Sequence, residues 1–156
     1  MPVLHPEWEF VADTVMGGES RGAIAPATHD GRTGMRLTGD VSLANDGGFV
    51  QMACDLAGGA AFDASGWSGI EIDVLGNGES YELRLRTCDH DKPWQSYRRA
   101  FTAPPAWTTC RFPFDAFEAH RTEAPFDPAR LRRLGVVAIG RVFHADVTVA
   151  AVRLFP

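Results

Sequence analysis

Apolar and polar residues alternate along most of this chain. In MRLTGDVSL, residues 35–43, Met35, Leu37, Val41 and Leu43 share one face while Arg36, Thr38, Asp40 and Ser42 share the other. In GIEIDVLG (69–76), Ile70, Ile72 and Val74 alternate with Glu71 and Asp73. In YELRLRTC (81–88), Tyr81, Leu83 and Leu85 oppose Glu82, Arg84 and Arg86. A period of two is the mark of a strand that buries one face and wets the other. The same pattern, less regular, marks 48–55, 95–102, 107–113, 134–142 and 146–155 as further strands.

Turn chemistry separates these segments: NDGG (45–48), ASGWSG (64–69), GNGES (76–80) and APPAW (103–107). Gly supplies positive φ and Pro a fixed φ, which is what tight reversals need. About eight strands at this spacing predict an all-β antiparallel sandwich or barrel. One or two short helices complete the expectation. DPARLRRLG (127–135) reads as two helical turns, with Asp127 as N-cap, Pro128 at the first helical position and Gly135 at the exit. PFDAF (113–117) reads as a tight turn carrying two aromatic anchors. Trp8, Trp67, Trp107 and Phe112 lie at strand starts and turns and are expected to be buried. With no repeat, linker or low-complexity segment, residues 1–156 read as a single β-sandwich domain.

Composition narrows the function classes. A net charge of −5 argues against a nucleic-acid partner, which calls for a basic surface. No apolar run reaches the roughly 18 residues that a membrane span requires. The start, MPVLHPEWEF, has neither the basic nor the apolar region of a signal peptide, so a cytoplasmic location is expected. Cys54, Cys88 and Cys110 are odd in number and form no C-x-x-C pair, which fits reduced thiols rather than a disulfide framework or a zinc site.

The stretch DTVMGGES (13–20) raises the question of a phosphate loop. It lacks the G-x-x-x-x-G-K frame and the G-x-G-x-x-G fingerprint, and no helix follows it. Gly17 and Gly18 therefore read as a turn or a close backbone approach. DTVMGGES, then GDVSLANDGGF, GNGESYELRLR, YRRAF, and Trp107 followed by FPFDAF, in that order, resemble the complex I intermediate-associated protein 30 family over residues 8 to about 155. The resemblance implies a galactose-binding-like jelly-roll β-sandwich of two antiparallel sheets. It makes Asp13, Gly17, Gly18, Asn45, Gly47 and Gly48 structural motif residues. Mitochondrial members of the family act as assembly factors for respiratory complex I, and related domains occur beside dehydrogenase-like domains in photosynthetic organisms. For bacterial stand-alone members the resemblance implies no activity. Gln51 and Ala53, which follow GGF, depart from the family pattern, as does Arg121-Thr122 after the Pro-Phe turn.

Catalytic chemistry finds little to rest on. CDHDKPW (88–94) holds ligand-type residues, but neighbours in one loop rarely converge on one centre, so no metal is expected. His5, His29, His90, His120 and His144 are scattered, and no G-x-S-x-G elbow is present. The reading is a non-enzyme without cofactor. Its most suggestive feature is a polar strand face: Arg84 and Arg86 point the same way because they are two apart. Trp94 sits on the following loop, and Tyr97 and Arg99 join the patch if the next strand pairs in that register, with Tyr97 equally placed to be a core residue. Arg beside aromatic side chains is the composition of interface hot spots and anion sites. The expectation is a binding or assembly module whose partner is a protein, such as a respiratory-complex subunit. The alternative is a module for a carbohydrate or a small anionic ligand.

Overall fold

The computed structural model describes residues 3–156. The strands are β1 (Val3–Leu4), β2 (Glu9–Ala12), β3 (Arg21–His29), β4 (Arg32–Val41), β5 (Phe49–Asp55), β6 (Gly69–Gly76), β7 (Ser80–Thr87), β8 (Ser96–Thr102), β9 (Thr108–Pro113), β10 (Glu118–His120), β11 (Leu131–Ile139) and β12 (Phe143–Phe155). The first sheet runs β3-β4-β12-β6-β9, with β1 beside the far half of β12. The second runs β10-β8-β7-β11-β5-β2. Neighbouring strands are antiparallel throughout.

The period-two residues meet between the sheets. Leu37, Ile70, Ile72, Val74, Val147 and Leu154 of the first sheet face Val50, Met52, Leu83, Leu85, Leu134 and Val136 of the second, all fully buried. The protein is thus an all-β jelly-roll sandwich. The four strands that alternation did not reveal are β1, β2, β3 and β10. Three of these are two to four residues long. The fourth, β3, is RGAIAPATH, whose Gly, Pro and Ala positions carry no alternation. It lies at a sheet edge, where Pro26 removes no ladder bond from a central strand.

Other expectations need correction. The segment 127–135 is no two-turn helix. Asp127 does cap a turn, its Oδ1 accepting from the Ala129 amide at 3.0 Å, but the turn spans only Pro128–Arg130. The chain then enters β11 at Leu131. A bulge between Leu131 and Arg133 lets Leu131 and Leu134 both face the core, and that spacing of three imitates a helical period. Gly135, read as a helix exit, is a mid-strand residue. Leu43 lies past the end of β4 and is 48% exposed. Phe112 is buried, but Trp8 and Trp67 are half-buried at the rim of the core, and Trp107 is half-buried away from it against His29 and Arg32. The Trp107 indole N–H donates to the His29 carbonyl at 2.9 Å, and the Arg32 guanidinium lies over its ring. No helix of the described residues is long and apolar enough to cross a membrane.

Candidate binding face

DTVMGGES turns out to be built around one buried carboxylate. Asp13, directly after β2, is fully buried. It accepts from the Ser20 amide at 3.0 Å, the Gly48 amide at 2.6 Å, the Phe49 amide at 3.2 Å and the Ser20 hydroxyl. Burial pushes its carboxyl up, but the bonds from Ser20, Gly48 and Phe49 outweigh that and hold it below the usual carboxylate range. The glycines make room for the carboxylate: a Cβ on Gly18 or Gly47 would lie 2.5 Å from Asp13 side-chain atoms. Gly17 and Gly48 have φ of 86° and 140°, and Asn45 is also left-handed with φ of 55°. DTVMGGES and NDGGF are thus two halves of one knot that fastens the loop after β2 to the start of β5.

The five candidate binding residues do not form one patch. Register pairs Leu85 with Tyr97, Leu83 with Arg99 and Tyr81 with Phe101. Tyr97 and Arg99 therefore have the parity of the core-facing leucines, opposite to Arg84 and Arg86. Tyr97 is 2% exposed, packs on His90 and Phe126, and donates its hydroxyl proton to the Ala124 carbonyl at 2.7 Å. Arg99 is exposed near the edge of the sheet. Trp94 is 54% exposed on the β7–β8 loop. That loop is held by Arg86, which donates to the Gln95 carbonyl at 3.3 Å and the Lys92 carbonyl at 2.9 Å. Burial, with Arg132 and Arg133 nearby, pulls the Arg86 pKa below its ordinary value.

What register does bring together is a different set. Arg84 lies between Arg98 on β8 and Gly135 on β11, and Arg86 lies beside Arg133. His120 and Glu118 extend the face on β10, and Gln51 and Asp55 extend it on β5. Gln51, the departure from the family pattern, reaches across the bare backbone of Gly135, 3.0 Å from where a Cβ would sit. The arginine pairings are uneven. Arg133 is tied to Asp55 at 2.9 Å and to Glu9. Arg84 is tied to Glu82 at 2.7 Å. Arg98 has only long contacts, 4.0 Å to Glu82 and 3.7 Å to Glu118. The strands of this face present no tyrosine or tryptophan: both tyrosines point to the core, and the exposed Trp94 lies on the loop at the end of β7. Arg98 was missed because YRRAF offers two adjacent arginines of opposite parity, and only the pairing with β7 says which one faces out.

The CDHDKPW loop binds itself. Asp89 pairs with Arg130 at 2.7 Å, and the buried His90 accepts from the Thr87 amide through Nδ1 at 3.4 Å. Among the described residues no group of three or more His, Cys, Asp or Glu is placed to hold a metal. Cys54 is buried, and burial pushes its thiol up to about 12. Concave space lies away from the arginines' centre. An apolar groove of about 550 Å³ runs between the Val3–Trp8 segment and the start of β4. A polar cleft of about 450 Å³ sits at the rim beside Glu9, Asp55 and Arg133.

Several solved structures share this architecture. A family 11 carbohydrate-binding module from Clostridium thermocellum, solved in complex with a β-1,3-1,4-mixed-linked tetrasaccharide, superposes with a TM-score of 0.78 at 14% identity, covering 98% of this chain and 94% of that one. A family 30 carbohydrate-binding module gives 0.67 at 15% identity, covering 100% and 85%. An exo-β-agarase gives 0.62 at 10% identity, covering 96% of this chain but 23% of the agarase. At these identities the likeness is one of fold. No curated protein sequence matches the chain. The sequence profile of the complex I intermediate-associated protein 30 family matches residues 2–147, nearly the whole length, and the chain belongs to that family.

Proposed function

We propose that the protein is a non-enzymatic binding module that engages a protein partner through the outer face of its second sheet, in respiratory-complex assembly or a related role. The carrying observation is the row of arginines on that face, of which Arg98 keeps guanidinium donors that no nearby carboxylate fully uses. Arginine is enriched at protein interfaces because its planar fork is weakly hydrated and makes several directed bonds at once. Both clefts described above lie off the centre of the arginine row, which suits a surface partner better than an engulfed small molecule. Family membership supports the assembly context.

The test is capture of respiratory-complex subunits from a lysate of the encoding organism, comparing the parent with Arg84→Ala/Arg98→Ala. Arg86 is left intact because it holds the β7–β8 loop. Loss of one desolvated arginine contact weakens binding by about 2 kcal/mol, some thirtyfold. Equal recovery by both proteins, with unchanged melts, would remove the face from the reading.

A second reading is favoured by one observation, the likeness to carbohydrate-binding modules. Sugar rings stack their C–H faces on flat aromatic surfaces, and the strands of this face present no tyrosine or tryptophan, which leaves the exposed Trp94 of the β7–β8 loop as the aromatic nearest to it in sequence. Electrophoresis through gels containing mixed-linked β-glucan separates the two readings. Retardation of the parent, relieved in the double variant, would favour the sugar.

A further inference from the structure

Ser96, the first residue of β8, has an unusual environment. Its parity is that of Arg98, so it faces outward, yet it is 3% exposed and its hydroxyl has no hydrogen-bond partner. Buried hydroxyls are almost always bonded, so an unpartnered one calls for an acceptor. The surroundings are cationic. Register sets His120 of β10 directly opposite Ser96, and Arg98 lies two residues along the strand. Arg86 holds the backbone of the preceding residue, Gln95. The Arg98 guanidinium makes only the 4.0 Å and 3.7 Å contacts to Glu82 and Glu118, too long for hydrogen bonds. The His120 ring is half-buried. Of the two carboxylates, Glu118 has a side chain 76% exposed and so offers little neutralisation.

We propose that Ser96, Arg98 and His120 form an oxyanion subsite. A carboxylate or phosphoryl group seated over Ser96 accepts from its hydroxyl, from the Arg98 guanidinium and from the His120 ring. Glu82 remains paired with Arg84, so the incoming anion displaces no strong ion pair. This proposal rests on the reading of this face as the binding surface and says which chemistry the partner or ligand brings to it. It also gives binding a pH dependence. Burial, then the cations Arg98, Arg84 and Arg121, hold the His120 pKa below its ordinary value, against the pull of Glu82. An anion opposes that depression, so binding strengthens as pH falls toward the range in which His120 takes up its proton.

The experiment is a titration of the full chain, followed by NMR, with two probes: inorganic phosphate and an N-acetylated, C-amidated triglutamate peptide. Saturable shifts centred on Ser96, Arg98 and His120 are expected. Ser96→Ala and Arg98→Ala each weaken binding by about tenfold, the range of one charge-assisted hydrogen bond. Ser96→Ala removes a hydroxyl without changing the packing, so its melt holds. His120→Gln flattens the pH dependence. Tighter binding of the peptide assigns the subsite to a carboxylate on a partner, and tighter binding of phosphate assigns it to a phosphoryl group. No saturable shift up to about 10 mM of either probe, or shifts undiminished in Ser96→Ala and Arg98→Ala, overturns the proposal. The two readings fail separately. Loss of partner capture in Arg84→Ala/Arg98→Ala without an anion response spares the interface alone, while an anion response with unaltered capture spares the subsite alone.

Discussion

The outer faces of the two sheets carry the same kinds of side chain and use them in opposite ways. On the first sheet, Asp73 takes Arg153 on both oxygens at 2.8 Å, Arg32 at 2.8 Å and the Thr109 hydroxyl at 2.6 Å. Elsewhere on the same face, Asp146 takes Arg36 in a fork of 2.8 and 2.6 Å, and Glu71 takes Arg111. Asp73 and Glu71, read from alternation as wetted positions, are only 6% exposed. On the second sheet, one carboxylate, Glu82, lies among Arg84 and Arg98, and Ser96 has no partner. The first face closes its arginines over its own acids, and what it leaves without a partner is a buried acceptor, Glu71 Oε1. The second has donors in excess. A charged strand face thus says little about binding until its pairing is known, because only unspent hydrogen-bonding capacity is available to a partner.

The sharpest way to break this comparison is at Asp73. Removing one partner of a well-bonded buried ion pair leaves its cations uncompensated and costs about 3–5 kcal/mol. Arg32 keeps 44% of its side-chain exposure and Arg153 20%, so both regain some hydration. Asp73→Ala is therefore expected to lose about 3 kcal/mol in urea unfolding. A loss below about 1 kcal/mol, the scale of a surface pair, would make the first face as loosely held as the second.

Acid sharpens the same contrast. Hydrogen bonds from Arg153, Thr109 and Arg32, working against burial, hold the Asp73 carboxyl well below the usual range, and Arg36 does the same for Asp146. Such groups bind protons more weakly folded than unfolded. Their contribution is fully present above about pH 4 and disappears as pH falls through the folded-state values. Asp13 adds to this limb in the same direction. Unfolding followed against pH should show the parent losing stability on acidification, with a flatter acid limb in Asp73→Asn. Parallel limbs would mean that Asp73 titrates alike in both states.

The Asp13 knot is a third self-satisfied site, and its glycines come next in size. Ala at Gly18 sets its Cβ 2.5 Å from a fully buried carboxylate with four donors to lose, whereas Ala at Gly17 meets open space and only the strain of φ 86°. Gly18→Ala is expected to lose about 2 kcal/mol and Gly17→Ala about 1 kcal/mol, by thermal melts. Equal losses would point to backbone strain at both positions rather than crowding at one.

How far these features were legible follows from what sets each of them. The sandwich was legible because burial of one face writes a period of two into most of the long strands. β11 was misread from its start because a bulge breaks that period, and β3 was missed because an edge strand of Ala, Gly and Pro buries too little to show it. The structural role of DTVMGGES was legible, since Gly-Gly without a phosphate-loop frame means a turn. That Asp13 is its centre was not, because its donors come from residues up to 36 positions away. The proposed binding face was half legible. Parity within β7 fixed Arg84 and Arg86 to one side, but parity between β7 and β8 depends on register, which the CDHDKPWQ loop (88–95) between them leaves open. Arg99 and Tyr97 consequently fell on the wrong side, and Arg98, Ser96 and His120 went unseen.

The smallest expected change in stability is on the proposed binding face itself. Arg84 meets Glu82 at 2.7 Å on the same strand, with side chains 17% and 20% exposed. Arg98 meets no acceptor at hydrogen-bond distance. An exposed or long-range pair contributes about 0–1 kcal/mol. Arg98→Ala is accordingly expected to shift unfolding by less than about 0.5 kcal/mol. Arg84→Ala costs somewhat more, because its apolar stem covers the sheet and Glu82 is left with the distant Arg98. In Glu82→Gln/Arg84→Ala the uncompensated carboxylate is gone, and part of the loss should return. A stability loss in Arg98→Ala as large as that of Asp73→Ala would mean that Arg98 is spent inside the fold, and the second face would then be as closed as the first.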